Sequence, residues 1–120
     1  MKLLSRILAA TDLSAPARHA VERAFHLAAS ANCELYILNA IELDSLDSLR
    51  ELLGGDVLAV KAALKCDAHD RLDQLTGNAA INRGVVPHTC VADGNPFATI
   101  AAEAEVLNAD LVILGARGES

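Results

Sequence analysis

Four short apolar runs, separated by longer stretches with helical periodicity, constrain the fold more than any other feature of this sequence. Such runs are typical of strands buried on both faces of a parallel sheet. Their alternation with helices predicts an α/β fold, an open parallel sheet with helices on both faces and right-handed crossovers. The runs are Arg6–Thr11, Glu34–Ile41, 88–92 and 109–115.

The helical stretches carry their own start and stop signals. Ser14 and Asn95 are good helix caps, and each is followed by a proline suited to a first helical turn. Asn32 is expected to end the first helix. One long amphipathic helix is predicted from Val57, Leu64, Ala68, Leu72, Leu75 and Ala79, in a region that Gly84 ends, and the inward stripe of the last helix from Phe97, Ile100, Ala101, Ala104 and Leu107.

Length, composition and charge limit the domain organisation and the class of partner. A chain of 120 residues with 52% apolar residues is expected to form one domain, 1–120, with a packed core. Aromatic residues are only 2%, so Ala, Val, Ile and Leu must build that core. A net charge of −6 and the lack of stacking side chains disfavour a nucleic acid as partner.

The cysteines and the hydrophobic segments indicate a cytoplasmic protein. The thiols of Cys33, Cys66 and Cys90 are odd in number and widely spaced, which disfavours a disulfide framework or a zinc site. No signal peptide is visible, and no apolar stretch approaches the roughly 18 residues of a membrane span. We therefore expect reduced thiols and no membrane partner.

The expected ligand crevice lies at the carboxyl ends of the strands, where strand order reverses. The first strand ends there in Thr11 and Asp12. A 2-1-3-4 sheet brings Asp12 beside Gly94, and a 3-2-1-4 sheet brings it beside the closing stretch "GARGES". The glycines of that stretch would let a backbone approach a phosphate closely, and its arginine could add a positive charge.

Other candidate residues favour plainer interpretations. His19 and His26 share a helix face without a carboxylate pattern, so we expect solvated or partly buried histidines rather than metal ligands. Cys66 and His69 could be adjacent on a helix, but no third residue orients them for catalysis. The Gly-Gly pair at 54–55 is expected to be a loop rather than a hinge.

Four segments together resemble the universal stress protein family. "RILAATDLS" is similar to its first strand with the aspartate, and "LYILNAI" to its second, with Asn39 where a histidine is often found. "VADGNPFATI" resembles its Gly-x-Pro turn, and "ADLVILGARG" its fourth strand and the start of its nucleotide motif. The resemblance implies a 3-2-1-4-5 sheet, and hence the order 3-2-1-4 for the four strands here.

The resemblance also implies a site for ATP, with or without Mg²⁺. Asp12 would bind ribose hydroxyls or help hold the metal ion, although a carboxylate at a helix start is also favoured by the helix dipole alone. Carried over position by position, the adenine and ribose contacts fall at Ala10, Thr11, Asp12 and Ala40, and the phosphate contacts at Leu114, Gly115, Arg117 and Gly118.

The nucleotide motif of the family runs further than this sequence. Its nine-residue spacer, its closing Gly-Ser/Thr and its fifth strand do not occur before Ser120, so the resemblance implies a C-terminally incomplete domain. Without a fifth strand, the fourth would be a sheet edge with unpaired amides and carbonyls. We therefore expect a homodimer or other self-association, or marginal stability.

The function implied is that of a regulatory stress-response protein that binds an adenine nucleotide. No convincing general base faces the expected phosphates, so at most slow ATP hydrolysis is expected. Two alternatives stay open: an interaction module of the same fold that dimerises without nucleotide, and a small α/β enzyme such as a nucleotide hydrolase or an adenylyl-transfer enzyme.

Overall fold

The computed structural model describes residues 5–43, 46 and 56–115, in which strands and helices alternate as predicted. Within that part of the chain there are four strands and four helices. Their bounds are β1 Arg6–Thr11, α1 Ala15–Ala31, β2 Glu34–Ile41, α2 Val57–Thr76, α3 Ala79–Asn82, β3 His88–Asp93, α4 Pro96–Leu107 and β4 Leu111–Gly115.

The four strands form one parallel sheet in the order β3-β2-β1-β4. The chain builds outward from β1 to β3 and then returns across the sheet to place β4 on the other side of β1. Ala10 is thereby paired in register with both Leu38 and Leu114. The order 3-2-1-4 is confirmed, and the reversal of strand order lies beside β1.

Helices cover both faces of the sheet, but not equally. On one face α1 and α2 pack against a core that includes Ile7, Leu35 and Phe25, each at most 1% exposed. On the other face Leu107 of α4 lies near Leu8 and Leu38 of the sheet. None of the residues of α4 is itself buried. The free energy of burial therefore comes mainly from the first face.

The helix ends follow the signals in the sequence. The Ser14 hydroxyl accepts a hydrogen bond from the Ala17 N–H at 3.3 Å, and the Asn95 Oδ1 accepts one from the Ala98 N–H at 3.1 Å. Asn32 adopts the left-handed conformation that ends α1, and its N–H donates to the Ala28 carbonyl. Both predicted N-caps and this C-cap are confirmed.

The single long helix predicted up to Ala79 is wrong, because the chain breaks at Gly77 and Asn78. α2 ends at Thr76, and the Asn78 side chain accepts a hydrogen bond from the Ala80 N–H at 2.9 Å to start the short α3. Glycine followed by a capping asparagine favours a new helix start over continuation.

Three positions expected to face inward from α2 and α4 are exposed. Leu64 of α2 is 41% exposed and Phe97 of α4 is 75% exposed, and Ala101 is exposed as well. Leu64 and Phe97 lie towards the carboxyl ends of the strands, where they border open space rather than the sheet. A helical stripe predicts a side chain's direction, but not whether another element lies opposite it.

Asp110 holds the amino ends of the sheet together, and β4 begins after it at Leu111 rather than at residue 109 as expected. Its Oδ2 accepts hydrogen bonds from the Ser5 N–H at 2.7 Å and the Arg6 N–H at 3.0 Å. These two bonds, helped by the Arg6 charge, lower the pKa of the Asp110 carboxyl group below its usual value.

Candidate functional site

A tight turn from Thr11 to Ser14 ends β1 at the reversal of strand order. The Leu13 N–H donates to the Thr11 Oγ1 at 3.0 Å, and the Ser14 N–H donates to the Asp12 Oδ1 at 2.9 Å. Leu13 has a φ of 64°, a left-handed conformation that is costly for a branched side chain. The turn thus fixes Asp12 at the start of α1, where its carboxylate also favours the helix dipole.

Asn39 fixes the same turn from the neighbouring strand. It is 4% exposed, and its Nδ2 donates to the Thr11 carbonyl oxygen at 2.7 Å. This bond satisfies the carbonyl at the end of β1 and ties it to β2. Sequence reasoning noted Asn39 only as a departure from the family pattern; an amide within a buried apolar run was the available signal.

The turn after β3 is fixed to the end of β2. The Gly94 N–H donates to the Ile41 carbonyl at 2.9 Å, and the Leu43 N–H donates to the Asp93 Oδ1 at 3.3 Å. Gly94 has a φ of 152°, and a Cβ there would lie 3.0 Å from the Thr99 Oγ1. A glycine is therefore required where the chain turns into α4.

These turns surround a cleft of about 270 Å³ at the carboxyl ends of the strands. That volume is just below the range of small-molecule sites, which is about 300–1,000 Å³. Most of the lining side chains are apolar. They are Ala10, Thr11, Asp12, Ala40, Pro96, Phe97, Ile100 and Leu114.

Five of the residues expected at the site line this one cleft: Ala10, Thr11, Asp12, Ala40 and Leu114. Gly115 lies at the end of β4, paired in register with Thr11. Arg117 and Gly118 lie outside the described residues.

Three further lining residues, Pro96, Phe97 and Ile100, were not expected there. Because α4 must cross from β3 to β4, it passes over β2 and β1, and its first turn lies above their carboxyl ends. In the sequence, the Gly-x-Pro turn was placed beside Asp12 only under the strand order 2-1-3-4. A crossover helix brings its first turn there under the order 3-2-1-4 as well.

A second, more polar chamber of about 320 Å³ lies on the other side of Asp12 and Ala40. Leu64, Asp67 and Arg71 of α2 line it, with Arg71 Nε and Asp67 Oδ2 3.1 Å apart. Their spacing of three and four positions places one face of α2 over the strand ends. Asp12 and Ala40 therefore border both chambers.

Asp12 is the only ionisable side chain among the described residues that line the 270 Å³ cleft. Mg²⁺ is often held by one or two carboxylates together with substrate phosphates rather than by a cage of protein ligands. One carboxylate is compatible with an ion that arrives with a nucleotide. The described residues contain no group of three or more His, Cys, Asp or Glu side chains suited to a metal ion.

The other candidate side chains lie away from the cleft. His19, His26 and His69 are exposed on helices, as expected for solvated histidines, and Cys66 is exposed too. Burial, aided by the Glu103 carboxylate, raises the pKa of the Cys90 thiol and so keeps it protonated. The Gly-Gly pair at 54–55 lies outside the described residues.

No helix in the described ranges combines the length and the apolar character needed to cross a membrane.

A family model and a set of solved structures are similar to this chain. The model of the universal stress protein family matches residues 4–120. No match was found among the curated proteins.

Three of the similar solved structures are universal-stress-protein or related α/β chains. Protein MJ0577 is 21% identical with a TM-score of 0.78, and the match covers 98% of this chain and 78% of that one. The universal stress protein UspA from Lactobacillus plantarum is 23% identical with a TM-score of 0.65, covering 98% and 80%. A universal stress protein in complex with cAMP is 24% identical with a TM-score of 0.55, covering 91% and 70%. At these identities the likeness shows a shared fold.

Proposed function

This chain belongs to the universal stress protein family, and on that premise we propose that its 270 Å³ cleft binds an adenine nucleotide, with ATP as the first ligand to test. The observation that carries the proposal is the convergence of Ala10, Thr11, Asp12, Ala40 and Leu114 on one cleft beside the reversal of strand order. The cAMP complex of a similar universal stress protein supports an adenine nucleotide as ligand.

The cleft suits a base and a sugar better than a whole triphosphate. Ala10 and Ala40 are small, and they leave apolar space at the strand ends into which a flat base can enter. Asp12 can accept hydrogen bonds from ribose hydroxyls or contribute one oxygen to Mg²⁺. The phosphate contacts are proposed at Leu114, Gly115, Arg117 and Gly118, the positions that the family resemblance assigns to them.

The protein is proposed to act as a regulatory nucleotide-binding module in the cytoplasm. The three free thiols suit a reducing compartment. No general base lies among the described residues that line the cleft apart from Asp12, one of whose oxygens already accepts the Ser14 N–H. That arrangement favours binding over hydrolysis.

Filling the cleft at Ala40 tests this proposal. Ala40→Leu is expected to weaken ATP binding at least about tenfold, because the larger side chain occupies the space proposed for the base; tenfold corresponds to roughly 1.4 kcal/mol. Isothermal titration calorimetry measures the change. Ala92→Leu is the matched control, since Ala92 is paired in register with Ala40 on β3 but does not line the cleft.

The ATP-binding results of the two variants and of the wild type decide whether the cleft is the site. Weakened binding in Ala40→Leu with near-normal binding in Ala92→Leu supports the cleft as the site. Wild-type protein that shows no heat of binding at millimolar ATP, while circular dichroism shows it folded, overturns the proposal.

A second candidate function, self-association through β4, has its own supporting observation. Among the described residues β4 pairs only with β1, and Val112 and Leu114 on it are 38% and 56% exposed. An exposed apolar edge strand is a site for pairing with a second copy of the chain. Light scattering over a wide range of concentration tests this: a dimer that Val112→Lys dissociates supports it, and a wild-type monomer throughout contradicts it.

A further inference from the structure

We infer that Phe97 is the base-recognition residue of the cleft, and that its ring stacks on the purine of the bound nucleotide. The inference rests on the proposed function and adds to it the residue that selects the base. Phe97 lines the cleft from the first turn of α4 while its side chain is 75% exposed.

Phe97 differs from the other Phe and Tyr side chains of the chain in its exposure and its contacts. The chain has two phenylalanines, one tyrosine and no tryptophan. Phe25 is fully buried in the core, and Tyr36 stacks on His88 with ring centroids 4.6 Å apart. Phe97 is thus the one ring of the three whose face is open to a ligand.

The backbone before Phe97 fixes the point at which its side chain leaves the helix. Gly94 is bonded to Ile41, Asn95 caps the helix, and Pro96 fixes its first turn. The backbone at Phe97 therefore needs no further ordering when a ligand binds, and such preorganisation favours affinity.

The chemistry of the remaining lining explains why this ring matters. Ala10, Ala40, Ile100 and Leu114 supply aliphatic contacts that exclude water but do not distinguish one flat base from another. An aromatic face attracts a base by stacking, and a two-ring purine offers it more area than a pyrimidine. Phe97 therefore favours adenine nucleotides over pyrimidine nucleotides.

A tryptophan probe tests the contact directly. Since the natural chain contains no tryptophan, Phe97→Trp introduces a single fluorophore whose emission reports on that position alone. Titration with ATP is expected to quench it saturably. Val106→Trp is the control: Val106 lies on the same helix, is 79% exposed and does not line the cleft, so its emission should stay unchanged.

Nucleotide affinities of variants at position 97 complete the test. Phe97→Ala is expected to raise the Kd for ATP by about 5- to 150-fold, the range for loss of one base–aromatic stack. Phe97→Leu, which keeps apolar bulk, should lie between the alanine variant and wild type. The ratio of the Kd values for CTP and ATP should fall towards one in Phe97→Ala.

These binding measurements also distinguish a failure of the role given to Phe97 from a failure of the proposed nucleotide-binding function. If the wild-type protein binds ATP and Phe97→Ala binds it equally well with an unchanged CTP-to-ATP ratio, the role of Phe97 is overturned and the nucleotide site stands. If the wild-type protein binds neither ATP nor CTP, the proposed function itself fails. Quenching in both tryptophan variants would also count against a contact specific to position 97.

Discussion

The two ends of the parallel sheet hold their polar groups in different ways. At the amino ends, the Asp110 carboxylate accepts two backbone N–H groups, and the Arg6 guanidinium donates to the Leu107 carbonyl and pairs with Glu34. At the carboxyl ends, the turns contain Leu13 at a φ of 64° and Gly94 at 152° and surround an open cleft.

Left-handed residues are not confined to one end, since Asn32, Arg83 and Asn108 precede β2, β3 and β4 with φ of 56°, 51° and 56°. The two ends differ in what surrounds these residues, because a costly backbone conformation persists only where neighbouring contacts enforce it. At the carboxyl ends, Asn39 and the Thr11 hydroxyl enforce such a turn beside Asp12. We interpret the amino ends as structural, and the carboxyl ends as preorganised for a ligand.

Among the substitutions that compare the two ends of the sheet, Asn39→Asp is expected to cause the largest loss of stability. The change is nearly isosteric, but it replaces the amide donor to the Thr11 carbonyl with a carboxylate oxygen at a buried position. A loss of about 2–3 kcal/mol in the free energy of unfolding is expected near neutral pH. Urea denaturation measures it. Part of the loss should be recovered in acid, because a protonated carboxyl group can donate to the same carbonyl.

Asn82→Asp provides the matched control for that substitution. The Asn82 Nδ2 also donates to a backbone carbonyl, that of Thr76 at 2.9 Å, but the residue is only half-buried. Its loss should be smaller, and ATP affinity should stay near that of the wild type. Equal losses of unfolding free energy in the two variants would show that the hydrogen bond from Asn39 to the end of β1 matters no more than an ordinary side-chain hydrogen bond.

Glycine-to-alanine changes at the two ends of the sheet should differ by a smaller amount in the free energy of unfolding. Gly94→Ala is expected to cost about 2 kcal/mol, because its Cβ would lie 3.0 Å from the Thr99 Oγ1 in an unfavourable conformation. Gly84→Ala, before β3, should cost about 1 kcal/mol, since no atom lies within 4 Å of its Cβ and only conformational strain at a φ of 82° applies. Thermal unfolding compares them; a greater loss at Gly84 would refute the tight fit at Gly94.

Asp110→Asn should give the smallest effect, a slight loss of stability near neutral pH that disappears in acid. The pKa of Asp110 is lowered in the folded state, so its contribution is present above the unfolded pKa and is lost as pH falls through the folded value. The variant keeps a hydrogen-bond acceptor but cannot titrate. The melting temperature of the variant should therefore lie slightly below that of the wild type near pH 7, and the two values should converge below about pH 4.

Glu105→Gln serves as the control for the acid measurement, because it removes an exposed carboxylate from α4. Its melting temperature should follow that of the wild type as the pH falls. An Asp110→Asn curve parallel to the wild-type curve from neutral pH to below pH 4 would contradict the role given to the two backbone bonds.

Local sequence signals predicted the elements of this fold well where the interactions are local. Ser14, Asn32 and Asn95 each bond within a few residues, and all three act as caps. The break at Gly77 was missed, because an apolar stripe that continues to Ala79 masked the start of a new helix at Asn78.

The strand order and the details of the site depend on contacts between distant parts of the chain. Elementary physics left 2-1-3-4 and 3-2-1-4 open, and the family resemblance selected the second. The bond between Asn39 and Thr11 joins residues 28 positions apart. Phe97 was expected inside because a helical pattern shows direction alone, and its exposure depends on what lies above the strand ends.

The most direct test of the central claim is to map which backbone amides respond to ATP by nuclear magnetic resonance. A nucleotide site in the cleft predicts saturable chemical-shift changes at the carboxyl ends of the strands, in Thr11, Asp12 and Ala40, with little change at Arg6 and Glu34 at the amino ends. Changes confined to the amino ends, or none at millimolar ATP in a folded protein, would contradict it.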